Sequence, residues 1–230
     1  MSASLAIAAK ASRAASSMPW ISSGFSEESF SGDAGLSGTV HHFVPDRAIY
    51  EEGDQAKFFY KVVRGMVRTC RFLSDGRRQI DAFHAEGDVF GFESGGQYRL
   101  SAEAVSECQV IAYRRRGTDG SAAQEDRLAR QFFAHAMTCL ARAQEHSLLL
   151  GRGTAVQKIA TFLLEMSERE ARDDAVDLPM SRQDIADYLG LTIETVSRTL
   201  SHLERDGVIG LPTARRVMLK DRKSLRLMMA

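Results

Sequence analysis

The chain has 230 residues, of which 44% are hydrophobic, and its 30 lysines and arginines balance 30 aspartates and glutamates. This length suits two modest domains or one large domain, and the hydrophobic fraction excludes a wholly disordered chain. Because the net charge is zero, any surface that binds nucleic acid must be built by local clustering of basic residues.

The cysteines and the hydropathy pattern exclude several further classes of protein. Cys70, Cys108 and Cys139 are far apart and form no CxxC pair, which argues against a disulfide framework or a cysteine-rich metal site. They suggest reduced thiols in a cytoplasmic protein, with two of the three packed as small hydrophobes. No segment has the roughly 20 consecutive apolar residues of a membrane span, so we expect no membrane partner.

The first segment, residues 1–38, is rich in Ala, Ser and Gly and offers little apolar surface to bury. Lys10 and Arg13 without an acidic neighbour also fit an organellar transit peptide. We interpret this segment as a flexible N-terminal arm.

Residues 39–120 have the texture of a small β domain. Short runs rich in β-branched and aromatic residues alternate with Gly53, Gly65, Gly76 and Gly87. Strands repeated at about 8–12 residues are typical of an antiparallel sandwich or barrel. Within this series, residues 74–76 (Ser-Asp-Gly) predict a hairpin turn, since Asp and Gly tolerate a positive φ.

Residues 121–151 change to a helical period and predict one long helix. A seam recurs at steps of four, three and four residues, formed by Phe133, Met137, Leu140 and Gln144. A second stripe lies beside it, formed by Leu128, Phe132, Ala136, Cys139 and Ala143. Two stripes need two partners, so we expect one to face the β domain and the seam to pair with a second copy in a homodimer. The alternative is a long helix buried inside one chain.

Residues 152–230 predict a helix-turn-helix domain. The Gly151–Gly153 stretch breaks the long helix, a further helix covers 154–170, and a polar loop (ARDDAVDLP) follows. Ser181 and Asp184 then form a capping box, and Gly190 makes a tight turn before Thr192, which caps a second helix reaching about Asp206. Two short helices joined by a turn that contains glycine are typical of the helix-turn-helix motif.

The second of these helices has two distinct faces. At 100° per residue the apolar side chains group on one side, namely Ile193, Val196, Leu200 and Leu203. Glu194, Ser197 and Arg198 project together from the other side, in the first turns of the helix. In a recognition helix, this N-terminal end is the part that contacts base edges. Arginine can bond bidentately to guanine, glutamate can accept from cytosine N4, and serine suits a base or a phosphate. The predicted base-reading residues are Ile193, Glu194, Ser197 and Arg198. A solvated face with a Glu–Arg pair is the plainer alternative.

Beyond Gly207, two short apolar runs joined by a turn predict a wing. Between Gly207 and Arg226 there are six basic residues and one acidic residue, Asp221, which is the local clustering that the neutral total requires. These residues would hold DNA phosphates without reading sequence. The predicted phosphate contacts are Thr192, Thr195, Ser201, Arg215 and Arg216, together with Ser181 and Arg182.

This order of β domain, long helix and winged helix-turn-helix resembles the CRP/FNR family of bacterial regulators over about residues 40–222. The resemblance implies an α+β fold: an N-terminal antiparallel β-roll like that of cyclic-nucleotide-binding domains, a dimerisation helix and a C-terminal winged helix-turn-helix. The E-x-x-S-R pattern of Glu194, Ser197 and Arg198 is similar to the FNR branch, which reads TTGA-type half-sites, and Ser181 and Arg182 match the phosphate-contacting positions of the family. The resemblance also implies double-stranded DNA and RNA polymerase as partners.

Residues 75–93 are similar to the FixK group within this family, which activates genes for microaerobic respiration and nitrogen fixation. Two departures separate the chain from other branches. Residues 1–69 contain no cysteine, so the iron–sulfur cluster of FNR is not expected. Leu100 stands where the cyclic-AMP-binding members have an arginine before Ser101, and Asp88 replaces a usual glutamate. We therefore expect a β domain without a cofactor or an effector.

The face of Glu194, Ser197 and Arg198 argues against a cyclic-nucleotide-gated regulatory module without DNA binding, and two further alternatives remain at this level. In one, the same DNA-binding protein senses a haem or a nucleotide in the β domain, with His84, His135 and His146 as candidate ligands. In the other, the β domain is a metal-dependent enzyme, which needs a cluster of histidines and carboxylates. His41 and His42 would face opposite sides of a strand, and no nucleophile–base pair is evident, so we predict neither catalytic residues nor a metal site.

Overall fold

The computed structural model describes residues 29–31, 37–115, 122–169 and 174–229. Its N-terminal half is built from nine strands: β1 (Ser29–Ser31), β2 (Ser37–Phe43), β3 (Ala48–Tyr50), β4 (Phe58–Arg64), β5 (Val67–Phe72), β6 (Arg78–His84), β7 (Val89–Phe90), β8 (Ser101–Ala104) and β9 (Cys108–Arg114). They form two antiparallel sheets, in the orders β1-β2-β9-β4-β7 and β3-β8-β5-β6. Val62, Val67, Ala102 and Val110 are fully buried within this domain. The predicted β-roll is confirmed.

The five-stranded sheet reaches into the segment expected to be an arm. Ser29–Ser31 pairs with Ser37–Thr39, so the boundary proposed at residue 38 is wrong for these residues. Ladder pairing uses backbone N–H and C=O groups, which a segment poor in apolar residues still possesses. The rest of the proposed arm, including Lys10 and Arg13, lies outside the described residues.

The long helix α1 (Ala122–Arg152) has 31 residues, and the side chains that the structure describes on it, from Arg130 onwards, are largely exposed in the single chain. It meets the β domain through His135, whose Nε2 lies 2.8 Å from the Val89 carbonyl oxygen, and through Arg142, which pairs with Asp88 at 3.3 Å. This exposure contradicts the alternative of a helix buried inside one chain. Of the second predicted stripe, the side chains of Leu128 and Phe132 lie outside the described residues, whereas the other three border a cavity beside the β domain.

The C-terminal half contains α2 (Ala155–Arg169), β10 (Ala175–Asp177), α3 (Arg182–Leu189), α4 (Ile193–Arg205), β11 (Ile209–Thr213), β12 (Arg216–Leu219) and α5 (Arg222–Leu227). One of these elements corrects the sequence interpretation, and another was not predicted from the sequence. The loop expected between the helices contains β10, which pairs with β12 because Ala175 and Val176 supply a buried apolar pair among the aspartates. The basic stretch after the wing folds as α5, anchored by the fully buried Leu225.

The two halves share one apolar core. Met66, Ile80 and Phe83 from the β domain belong to the same buried cluster as Ile159 and Phe162 of α2. Cys70 and Cys108 are buried and Cys139 is exposed, as the sequence suggested. No helix among the described residues has both the length and the hydropathy needed to cross a membrane.

Candidate DNA-binding surface

The helix-turn-helix begins with the capping box that the sequence predicted. The Ser181 hydroxyl accepts from the Asp184 backbone N–H at 3.0 Å, and the Asp184 carboxylate accepts from the Ser181 N–H at 2.9 Å. These two bonds satisfy donors that a helix N-terminus otherwise leaves unpaired. Ile185, Ala186 and Leu189 are buried in the core.

The turn between α3 and α4 depends on one glycine and one threonine. Gly190 has φ +60° and ψ 43°, a left-handed conformation that favours glycine, and its N–H donates to the Ala186 carbonyl. Two residues later, the Thr192 hydroxyl accepts from the Thr195 N–H at 3.2 Å and caps α4. The recognition helix therefore starts at a fixed place and direction.

The two faces of α4 are separated as predicted, with one correction. Val196, Leu200 and Leu203 are buried, whereas Ile193 is 38% exposed and does not belong to the core face. As the first residue of α4, it precedes the turns that pack on the domain. Glu194, Ser197 and Arg198 are exposed. The four residues predicted to read bases thus lie in the first two turns of α4, accessible to solvent.

Glu194 is held in its ionised form. Its pKa lies below the ordinary value because the carboxylate accepts from its own backbone N–H and from the Thr192 hydroxyl, and because it faces the charge of Arg198. Carboxylate and guanidinium therefore present opposite charges side by side on an exposed helical face. This pattern supplies both a hydrogen-bond acceptor and a bidentate donor for base edges.

The residues predicted to contact phosphates flank this face. Ser181 lies at the start of α3, Thr192 at the start of α4, and Ser201 two turns further along; all three are exposed, whereas Arg182 and Thr195 are half-buried. The hydroxyl proton of Ser181 is engaged by Asp184 at 2.8 Å. A phosphate arriving here would therefore meet the half-buried Arg182 guanidinium, since the serine hydroxyl is already donating.

The wing is the hairpin of β11 and β12. Arg215 and Arg216 are exposed at its turn, and Arg216 lies 3.9 Å from Asp177 of the adjacent β10. The Leu178 N–H donates to the Arg215 carbonyl at 2.7 Å, which fixes the backbone of the wing against β10. Lys220, Lys223 and Arg226 are exposed beyond it. The predicted basic cluster therefore lies on the surface of the same small domain as α4.

The seam on α1 is exposed in the single chain. Phe133 is 69% exposed, Met137 49% and Leu140 50%, and Gln144 is also exposed. By helical spacing, these four residues centre on the side opposite His135, Arg142 and His146, which contact the rest of the chain. Two of the four, Phe133 and Leu140, also border the cavity between α1 and the β domain. An apolar face of this size on one helix is typical of an association surface.

A cavity of about 740 Å³ lies between α1 and the β domain. All three candidate histidines border it, but each is already in contact: His84 Nε2 lies 3.1 Å from the Thr69 hydroxyl, His135 bonds to Val89, and His146 stacks on Tyr188. Burial lowers the pKa of His84 to about 4, so it is neutral at physiological pH. No group of three or more His, Cys, Asp or Glu side chains in the described residues is arranged to hold a metal.

One corner of this cavity bears on nucleotide binding. Leu100 lines the cavity at the position where the resemblance places an arginine in cyclic-AMP-binding members of the family. The neighbouring Arg99 forms an ion pair with Glu93 at 2.8 Å. The Arg99 side chain is 76% exposed. Arg99 and Glu93 therefore satisfy one another at this corner.

Sequence reasoning missed a group of residues that attaches α3 to the β domain. Asp184, assigned only a capping role, also accepts from Arg68 at 3.2 Å and from Arg78. The arginines lie more than 100 positions away in the chain, so no local spacing could have indicated them.

Comparisons with known proteins agree with this geometry. Residues 157–228 match the family model of the Crp-like helix-turn-helix domain, and residues 40–120 match that of the cyclic nucleotide-binding domain. The chain is 49% identical over 194 residues to the nitrogen fixation regulation protein FixK of Azorhizobium caulinodans, covering 82% of this chain and 78% of the relative. It is 44% identical over 197 residues to the protein of that name from Rhizobium meliloti, covering 85% and 90%. The solved structure of FixK2 from Bradyrhizobium japonicum matches with a TM-score of 0.80 at 47% identity, covering 85% of this chain and 98% of that one.

Proposed function

Because this chain belongs to the CRP/FNR family of transcription regulators, as a FixK-like member, we propose that it activates genes of nitrogen fixation and microaerobic or anaerobic respiration. It does so by binding a TTGA-type inverted repeat as a homodimer in the cytoplasm and contacting RNA polymerase there. The observation that carries this proposal is the exposed face of α4, on which ionised Glu194 stands beside Ser197 and Arg198.

The first turns of α4 enter the major groove. Arg198 bonds to O6 and N7 of a guanine, Glu194 accepts from an exocyclic amine on an adjacent or opposite base, and Ser197 and Ile193 complete the contact. Arg182, Arg215 and Arg216 neutralise phosphates around this groove, with the hydroxyls of Thr192, Thr195 and Ser201 beside them, while the Ser181 hydroxyl donates to Asp184 and holds the start of α3 in place. These phosphate contacts fix the register of the domain and leave base choice to α4.

Two copies pair through α1. The seam of Phe133, Met137, Leu140 and Gln144 is apolar over three of its four positions, and all four side chains are exposed in the single chain. Pairing of two such helices places two recognition helices on one side of the DNA, about 34–36 Å apart, which is one helical turn. An inverted repeat is the DNA symmetry that matches this arrangement.

No effector or cofactor is required in this proposal. The pairing of Arg99 with Glu93 and the presence of Leu100 support a β domain that does not bind a cyclic nucleotide. A second candidate function keeps the DNA binding and adds a sensed ligand. The 740 Å³ cavity and its three histidines favour that candidate.

A DNA selection from a random pool tests both candidates. The full-length protein is purified in air and used without added ligand, and bound fragments are sequenced. Enrichment of a TTGA-type inverted repeat is the expected result. Absence of enrichment in air with recovery under anoxia, or on adding a cyclic nucleotide or haem, would overturn the effector-free proposal and support the sensing one. Absence of enrichment under every condition would overturn the DNA-binding proposal itself.

A further inference from the structure

The contact between α3 and the β domain contains an ion-pair cluster that is buried from solvent. Arg68 on β5 and Arg78 at the start of β6 both reach Asp184 on α3, and Arg78 Nε also donates to Asp187 Oδ2 at 2.9 Å. The side chains of Arg68 and Asp184 are each 6% exposed, and those of Arg78 and Asp187 are 17% and 12% exposed. Screening by water and salt is therefore weak here.

The arginines are anchored within the β domain before they reach α3. Arg68 pairs with Glu103 of β8 at 2.7 Å and with Asp46 at 2.9 Å, and Arg78 lies 3.7 Å from Glu103. Although burial opposes its charge, the facing carboxylates of Asp184, Glu103 and Asp46 raise the pKa of Arg68 above the ordinary value. The positive charges thus sit at fixed points of the four-stranded sheet.

Asp184 divides its two carboxylate oxygens between two tasks. Oδ2 accepts from Ser181 and completes the cap of α3, while Oδ1 accepts from Arg68 and Arg78. The start of α3 and the attachment of α3 to the β domain therefore depend on one side chain. Since α3 leads through the Gly190 turn directly into α4, a fixed α3 also fixes the direction of the recognition helix.

Buried ion pairs add little net stability compared with apolar residues, but removing one partner is costly because a charge is left without compensation. Such pairs suit a role in selecting one geometry over others. We infer that Arg68 and Arg78 are positioning residues for DNA binding: with Asp184 and Asp187 they lock the helix-turn-helix onto the β sheet in one orientation without any ligand. This inference rests on the proposed function.

The consequence concerns the spacing of the two recognition helices. A locked domain gives the dimer one preferred distance between half-sites, whereas a loosely held domain adapts to several distances and loses the advantage of a preorganised bivalent contact. Binding to a single half-site does not depend on the distance between the two recognition helices. Spacing preference therefore separates positioning from general damage to the fold or to the base-reading face.

The test compares Arg78→Gln with Arg77→Gln in the full-length protein. Arg77 is the matched control, because it is the adjacent residue and pairs only with Asp75 in its own exposed hairpin among the described contacts. Binding is measured to the selected inverted repeat, to repeats with two base pairs added or removed between half-sites, and to one isolated half-site. For Arg78→Gln we expect affinity for the selected repeat to fall roughly ten-fold and discrimination between spacings to shrink, with half-site affinity unchanged. Arg77→Gln should behave as the original protein.

Two further measurements keep the outcome decisive. Asp187→Asn removes the other end of the same pair and should reproduce the loss of spacing discrimination if Arg78→Gln proves insoluble. Calorimetry should show that Arg78→Gln unfolds at a lower temperature than Arg77→Gln, because the buried Asp184 and Asp187 carboxylates lose a partner while the apolar core still joins the halves. Unchanged spacing discrimination in both Arg78→Gln and Asp187→Asn would overturn the inference. If the original protein binds no DNA, the proposed function fails, and the calorimetry still decides whether the cluster stabilises the contact between the two halves.

Discussion

The imidazole of His146 on α1 stacks on the phenol ring of Tyr188 on α3, with ring centroids 4.0 Å apart and ring planes inclined by 10°. Tyr188 also meets Phe83 of β6 at 5.2 Å and Phe162 of α2 at 5.9 Å. One buried ring therefore joins the long helix, the β domain and the first helix of the helix-turn-helix. Three segments that the sequence separates as domains share a core at this point.

Replacing Tyr188 with alanine should destabilise the protein by about 3–5 kcal/mol, since it opens a cavity where three aromatic neighbours meet. Urea denaturation gives this difference in the free energy of unfolding. Tyr188→Phe keeps the ring and serves as the control, with an expected change below about 1 kcal/mol. A loss equally small for Tyr188→Ala would mean that the three elements are held together elsewhere.

Local signals predicted the helix-turn-helix well. The Ser181–Asp184 capping box, the Gly190 turn and the Thr192 cap each involve residues at most four positions apart, so the local sequence is enough to predict them. The position of β10 was missed because its partner β12 lies some 40 residues further along the chain. The two apolar residues of β10, Ala175 and Val176, are also flanked by aspartates, which are uncommon in strands. The cluster around Asp184 was missed because its arginine partners lie more than 100 residues away in the chain. In addition, a capping role already accounted for Asp184.

The pH dependence of stability should carry a contribution from His84. It is half-buried in the cavity wall, where it faces Asp88, Arg142, Arg169 and His135, and burial lowers its pKa to about 4. The unfolded chain has the ordinary value of about 6.5, so between these values unfolding takes up a proton. The contribution is fully present above about pH 6.5 and is lost as the pH falls towards 4.

The free energy of unfolding, measured by urea denaturation from pH 7.5 to 4.5, should therefore fall by at most about 1.4 kcal/mol per pH unit on account of this group. His84→Gln should flatten that part of the profile. His42→Gln changes an exposed histidine and should leave the slope intact. If both variants keep the original slope, acid destabilisation arises from other groups.

Association through α1 predicts that a charge within the seam produces monomers. Met137→Glu and Leu140→Glu each place a carboxylate on the apolar face, where the second copy would repeat the same charge opposite it. Sedimentation equilibrium should show a dimer for the original chain and a monomer for these variants. Thr138→Glu is the control, because Thr138 is exposed but lies about 100° around the helix from Met137. Monomers in all three variants would show that added charge anywhere on α1 disrupts pairing.

Arg198 and Arg215 should separate base reading from phosphate binding, since one lies on the exposed face of α4 and the other on the wing. Arg198→Ala should cost about 1–3 kcal/mol on the selected site and relax the preference at one G·C pair. Arg215→Ala should weaken binding to every sequence alike and reduce the slope of log affinity against log salt by about 1. Titrations of both variants against the selected site and a single-base-pair variant, at several salt concentrations, provide the two readouts. An unchanged base preference for Arg198→Ala would remove that residue from the reading face. A loss of preference for Arg215→Ala would mean that the wing itself reads sequence, because a phosphate contact carries no information about the base beside it.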